Sequence, residues 1–150
     1  MRLKALVGEG QHVMGSTLPF AVVGVAANII WPHVFRMGFG PGGLIAGIIL
    51  MAVGAPLWIT AAIQVLVWVP KKKLITTGPF AIVLHPIYTF FGLLVLPGLG
   101  LVLDTWLGFA LGAVLYAFTR IFAPAEEKLL EKYLPGEYPA YRQKVLLPWL

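Results

Sequence analysis

Four stretches of the chain are almost purely apolar, and charged residues are confined to the segments between and after them. Val13 to Phe35 carries no formal charge, although Pro19, Asn28, Pro32 and His33 interrupt it, and a first membrane helix is predicted from Thr17 to Trp31. Arg36 to Gly43 holds Gly38, Gly40, Pro41, Gly42 and Gly43, a density of breakers that predicts a turn. Leu44 to Val69 is again uncharged and exceeds the ~20 apolar residues that cross a hydrocarbon core. Pro56 is predicted to kink it, and Pro70 with Lys71-Lys72-Lys73 ends it. Two shorter segments, Pro86 to Leu103 and Thr105 to Thr119, read as a tightly packed helical hairpin turning at Asp104. Pro97-Gly98-Leu99-Gly100 reads as a turn near the end of its first arm, since no strand precedes the glycines as a nucleotide loop requires. Gly43 with Gly47, and Gly108 with Gly112, place small residues four apart, the spacing that lets membrane helices approach closely. Such faces serve either internal packing or contact between two copies in a homodimer.

Beyond Pro124 the pattern changes to charged and amphipathic. Pro124 suits a first helical turn, and Glu126-Glu127 suit the positive end of a helix dipole. Pro135-Gly136 stops that helix, and Glu137 to Val145 begins a second short element. The predicted fold is therefore all-α: one domain over residues 1–150, an integral membrane bundle of about four transmembrane helices with a C-terminal cytoplasmic amphipathic helix.

Composition strengthens this reading. The chain is 59% hydrophobic and 11% charged with a mean hydropathy of +0.88, against roughly 25% charged residues in soluble domains. Basic residues ahead of an apolar run also describe a secretory signal, but this run is long and ends without a clear small-x-small cleavage site, so a retained helix is favoured. The net charge of +5 suits an anionic lipid surface; the basic residues flank apolar segments, and no nucleic-acid partner is expected. With both termini cytoplasmic, Arg36 alone of the 11 lysines and arginines falls on the outer side, the asymmetry expected of a multi-pass protein with short loops. The absence of cysteine excludes disulfides and thiolate chemistry. His12, His33 and His85 lie far apart, so no metal site is expected.

The chemistry concentrates in two polar clusters. Thr77 to Tyr88 contains His85 and Tyr88, three apart and so on one face at the start of a helix. Glu126-Glu127 and then Tyr138 and Tyr141 follow the last apolar segment. Singly, each has a plain structural explanation: a hydrogen-bonded histidine, an interfacial tyrosine, a solvated helix start. Asn28 and Gln64 are read as either site residues or helix–helix hydrogen bonds, the latter favoured for Asn28. Taken together and in order, Gly78-Pro79-Phe80, His85-Pro86-x-Tyr88, Glu126-Glu127, Glu137-Tyr138-x-x-Tyr141 and Pro148 resemble the isoprenylcysteine carboxyl methyltransferase and phospholipid methyltransferase superfamily. The resemblance covers about residues 70–150.

That resemblance implies an integral-membrane methyltransferase using S-adenosylmethionine, whose lipophilic or lipid-modified acceptor arrives laterally from the bilayer. By the same resemblance His85, Pro86, Tyr88, Glu126, Tyr138 and Tyr141 bind the cofactor, the two tyrosines closing a lid. Glu127 and Arg120 are the implied catalytic residues. Carboxylates suit the cofactor's ammonium and ribose hydroxyls, and an aromatic face stabilises a sulfonium. One position departs from the family: Leu84 stands where an arginine usually precedes the His-Pro pair, removing a fixed cation that leucine cannot replace. Arg120, His85 and the lysines at 71–73 are the available substitutes. The competing readings are a membrane reductase of the sterol reductase type using NADPH and a non-catalytic membrane scaffold, and cofactor binding discriminates among all three.

Overall fold

The computed structural model describes residues 10–71 and 73–150; Arg2, Lys4 and Lys72, counted in the charge asymmetry, lie outside them. The described chain folds into helices α1 (Gly10–Ile30), α2 (Pro32–Phe35), α3 (Gly40–Trp68), α4 (Pro79–Ile82), α5 (Pro86–Val102), α6 (Leu107–Tyr133) and α7 (Glu137–Lys144). Of these, α1, α3 and α6 are long and apolar enough to cross a membrane. Helix α5 is also apolar but shorter; at 1.5 Å per residue it extends about 25 Å, less than the ~30 Å hydrocarbon thickness. Isoleucine, leucine, valine and phenylalanine side chains cover the outside of α1 and α3, as a lipid-facing surface requires.

Helix α5 occupies the middle of the bundle, packed against α3 and α6, while α1 packs against α6. Close approach is possible because the contacts lack side chains. A Cβ on Gly47 would lie 2.7 Å from the Gly98 carbonyl oxygen, and one on Gly54 would collide with Leu94. Across the other interface, a Cβ on Gly108 would meet the Leu96 carbonyl and the Gly100 Cα, and one on Gly112 would strike the Gly92 carbonyl. Gly47, Gly108 and Gly112 are thus used inside the chain, on either side of α5, whereas Gly43 meets only Phe39 at the start of its own helix.

Several elements differ from the sequence expectation. Helix α1 starts at Gly10 rather than Thr17. Helix α3 starts at Gly40, so Pro41, Gly42 and Gly43 lie in its first turn rather than in a loop, where Pro needs no N–H partner. Helix α6 runs unbroken from Leu107 to Tyr133, with Pro124 inside it, so the second hairpin arm and the charged C-terminal helix are one element. Pro124 removes the hydrogen bond to the Arg120 carbonyl. It sits on an exposed position, however, while Gly108, Gly112, Leu115, Thr119, Ala123 and Leu130 form one buried stripe that continues past it. In α5, Gly98-Leu99-Gly100 is helical, where a turn was expected. The helix widens just before it, through a π-helical turn at Phe91–Val95. Pro97 explains the widening: it has no N–H to offer the Leu93 carbonyl and its ring crowds that carbonyl. The Leu96 N–H instead reaches back five residues to the Phe91 carbonyl.

The end of the bundle around the Asp104 turn is fastened by polar contacts. Asp104 adopts a positive φ of 54°, which lets its carboxylate accept from Arg36 Nε (3.0 Å) and from the Gly38 N–H (2.8 Å). The Arg36 hydrogen bond, helped by the backbone donors, holds the Asp104 carboxyl below its usual range. The Trp106 indole N–H donates to the Val34 carbonyl (3.0 Å) and its ring stacks on Phe35 at 4.6 Å. Thr105 Oγ1 donates to Asn28 Oδ1 at 3.5 Å, giving Asn28 a helix-to-turn role.

Replacing Gly108 by leucine should force α5 and α6 apart and cost about 1–3 kcal/mol, the usual penalty of overpacking. Gly15→Ala, where a Cβ meets nothing within 4 Å, should leave the midpoint unchanged or slightly raised. Thermal unfolding of both variants in one detergent measures the difference.

Candidate functional site

At the opposite end of the bundle the chain between α3 and α5 turns back over the helix ends. Gly78 has a φ of 64°, a conformation open to glycine at no steric cost; it starts α4, with Pro79 in its first turn. Val83 is extended, His85 caps α5, and Pro86 takes the first helical turn, where its missing N–H costs nothing. The order Gly-Pro then His-Pro is therefore two helix starts in succession, the second aiming His85 and Tyr88 inward.

The C-terminal segment clasps this loop. The Tyr141 hydroxyl donates to the Phe80 carbonyl at 2.7 Å. The backbone N–H groups of Leu146 and Leu147 donate to the carbonyls of Ala81 and Ile82 at 3.0 and 2.8 Å. Leu84, Leu130, Tyr138, Tyr141 and Val145 form a buried cluster beneath, with Leu74, Phe80 and Leu134 packed on it. Burial pushes the phenols of both Tyr138 and Tyr141 above their ordinary pKa, aided at Tyr138 by the Glu127 charge; both remain neutral hydroxyls at physiological pH.

Between loop, clasp and helix ends lies a cavity of about 410 Å³, within the range of small-molecule sites, roughly 300–1,000 Å³. Its walls are largely apolar, from Met14 of α1, Val65 and Val69 of α3, and Phe80, Leu84 and Ile87. The polar groups that reach it include Lys73, His85, Tyr88, Glu126, Tyr138 and Tyr141. Gly10 permits the start of α1 to press against the Tyr88 hydroxyl, where a Cβ would clash. A second cavity, of about 680 Å³, shares Lys73, Leu74 and Tyr141 with the first and is lined also by Thr76, Glu137 and Lys144.

A row of ionisable groups runs beside the cavity. His85 Nε2 lies 3.3 Å from Glu127 Oε1 and Nδ1 lies 4.0 Å from Glu126 Oε2. Arg142 Nη1 of α7 approaches Glu127 Oε2 at 3.3 Å and Glu131 Oε1 at 3.7 Å. The side chains of His85, Glu126 and Glu127 are only 10%, 20% and 14% exposed, so this pairing replaces water that the site excludes.

Of the residues singled out in the sequence, His85, Pro86, Tyr88, Glu126, Tyr138 and Tyr141 all line the cavity. Glu127 and Arg120 do not. Glu127 sits behind His85, and Arg120, exposed two turns earlier on α6, acts on Glu127 through its charge alone. Leu84, at the position of the family's arginine, is buried in the apolar cluster. Among the substitutes named for that arginine, Lys73 and His85 line the cavity and Arg120 does not, while Lys71 and Lys73 place their ammonium groups over the Trp68 ring at 4.9 and 5.7 Å. Gln64 packs beside Gly78 and does not line the cavity. Arg142 counted in the sequence only as a positive charge; nothing in spacing alone pairs it with a glutamate on another helix.

The sequence pattern of phospholipid methyltransferases matches residues 43–135, from the start of α3 through the glutamates of α6. The chain belongs to the phospholipid methyltransferase family. No curated protein and no solved structure matches it. Membership makes it a membrane methyltransferase, and the matched region contains His85, Tyr88, Glu126 and Glu127, while Tyr138, Tyr141 and Arg142 lie just beyond it.

Tyr141→Phe should retain the family fold but lose the hydroxyl that ties α7 to the loop, at about 0.5–1.5 kcal/mol. Thermal unfolding should register that loss, and limited proteolysis should cut the segment after Lys144 sooner than in the parent protein.

Proposed function

We propose that the chain transfers a methyl group from S-adenosylmethionine to a lipophilic acceptor, with the cavity at the end of α5 as the site of reaction. The observation that carries the reading is the convergence of Glu126, His85, Tyr88 and Lys73 on one largely apolar cavity in a chain of this family. The residue set fits the methyl donor. Glu126 suits its ammonium or ribose hydroxyls, Lys73 its carboxylate, the aliphatic wall its adenine, and the tyrosine rings its sulfonium. Lys73 thereby takes over the cation lost at Leu84. Phosphate-rich NADPH fits less well, because Lys73 is the only lysine or arginine among the described lining residues.

When bound, S-adenosylmethionine supplies an electrophilic methyl carbon on sulfur. The chain's own contribution is to hold, orient and dry the site. Fixing donor and acceptor in line is worth about 7–11 kcal/mol in well-oriented systems. A carboxylate acceptor needs no base; for an amine acceptor, Glu126 is the cavity-facing group able to take the proton. Glu127 and Arg120 act behind it, one on the imidazole and the other on the charge of Glu127. The acceptor, isoprenylcysteine-like or phospholipid-like, reaches the cavity from the lipid beside the helices.

Calorimetric titration of S-adenosylhomocysteine into the detergent-purified protein, with NADPH as the parallel ligand, tests the reading. Saturable binding of the former, weakened about tenfold (~1.4 kcal/mol) or more by His85→Ala and by Glu126→Gln, is expected. Binding of NADPH instead, or of neither by folded protein, would refute it.

We also propose that α5 crosses with the three long helices and that both chain ends face the cytosol, so that the cofactor arrives from that side. Single cysteines at positions 71 and 142 should react with a membrane-impermeant maleimide only after the membrane is opened on the cytosolic side, and one at position 36 from outside. The reverse labelling would invert the topology.

A further inference from the structure

The C-terminal helix α7 contributes Arg142, which does not itself line the cavity yet ends a chain of side-chain contacts that reaches it. Arg142 Nη1 is 3.3 Å from Glu127 Oε2, and the other oxygen of that carboxylate, Oε1, is 3.3 Å from His85 Nε2. A carboxylate only accepts, so Nε2 must carry the hydrogen of this bond. One oxygen lies against the guanidinium and the other against the imidazole, so both sides of the Glu127 carboxylate are engaged. The opposite ring nitrogen, Nδ1, then faces Glu126 Oε2 across 4.0 Å, too far for a direct hydrogen bond, and Glu126 lines the cavity whereas Glu127 does not.

We propose that Arg142 is a positioning residue, holding Glu127 so that His85 presents Nδ1 to Glu126 at the cavity. As it bears on ligand affinity, this rests on the methyl-donor reading above; as it bears on the ring itself, it does not. Two features separate the role from an ordinary surface ion pair, which is worth little. Arg142 is 48% exposed, but Glu127 and His85 are only 14% and 10% exposed, so a carboxylate deprived of its ion-pair partner regains little water. Arg142 also belongs to the segment that clasps the loop before His85, through Tyr141 and the backbone of Leu146 and Leu147. Helix α7 therefore sets both the backbone that carries His85 and the carboxylate that orients its ring. The second partner of Arg142 is different. Glu131 is 47% exposed and 3.7 Å away, and it has no contact with His85.

The test is a double-mutant cycle on the full chain in detergent, read by S-adenosylhomocysteine calorimetry and by the imidazole 15N signals of His85. The other two histidines, His12 and His33, serve as internal references. Arg142→Gln should weaken binding about tenfold or more, as loss of an orienting partner does for metal-bound histidines, and should shift or broaden the His85 ring signals. Arg142→Lys, which keeps the charge but not the planar guanidinium, should recover part of both. Glu131→Gln should change neither. In a Glu127→Gln background, Arg142→Gln should cost nothing further, since its effect passes through that carboxylate. Equal losses from Arg142→Gln with and without Glu127 would overturn the proposal, as would unchanged His85 signals in Arg142→Gln. Should Arg142→Gln fail to fold, Arg142→Lys and Glu127→Gln decide by the same criteria. If the parent protein binds no S-adenosylhomocysteine, the functional reading fails and the ring signals alone judge Arg142.

Discussion

The bundle depends on how closely α5 can approach its two neighbours. In lipid there is no hydrophobic force between helices, because acyl chains are as apolar as leucine, so association relies on packing and on polar contacts. Gly47 and Gly54 on α3, Gly92, Gly98 and Gly100 on α5, and Gly108 and Gly112 on α6 remove the side chains that would hold the three backbones apart. His85 and Tyr88 stand at one end of α5 and the paired glutamates on α6. The separation of imidazole and carboxylates is therefore inherited from a backbone contact made further down the same two helices.

The two ends of the bundle solve different problems. Around Asp104, one carboxylate gathers Arg36 and two backbone N–H groups, so a charge is satisfied within a turn and faces outward. Around His85 the ionisable groups face inward and are paired with one another. Such a row is costly to desolvate and gains specificity mainly if every member is paired. The clasp made by Tyr141, Leu146 and Leu147 supplies the closed surroundings in which that pairing holds.

How much of this was legible in the sequence follows from which signals are local. Apolar length and the basic flanks displayed the long helices. The order of the Gly-Pro, His-Pro and Glu-Glu motifs displayed the cavity, because each motif begins or lies on a helix whose direction follows from its own residues. The continuity of α6 was hidden by Pro124 and a change in polarity, although a buried stripe at helical spacing from Gly108 to Ala123 and on to Leu130 runs through both. The division of labour between the adjacent glutamates was not legible. Neighbours on a helix point about 100° apart, and which one faces the cavity depends on how α6 is rotated against α5. The pairing of Arg142 with Glu127 depends on where Pro135-Gly136 redirects the chain, which is a tertiary fact. Leu84 read as a lost cation; its structural use, as part of the apolar floor under Tyr138 and Tyr141, needed the fold.

The π-helical turn in α5 has a consequence for how the protein can vary. One additional residue in a turn offsets everything before it by about 100° relative to everything after it. The half of α5 that carries Gly98 and Gly100 answers to the grooves of α3 and α6, whereas the half that carries His85 and Tyr88 answers to the cavity. The wide turn uncouples their phases, as a coupling between two shafts lets each keep its own angle. One short helix thereby obeys two unrelated rotational demands, and Pro97, which chemically looks like an interruption, is the residue that keeps them separate.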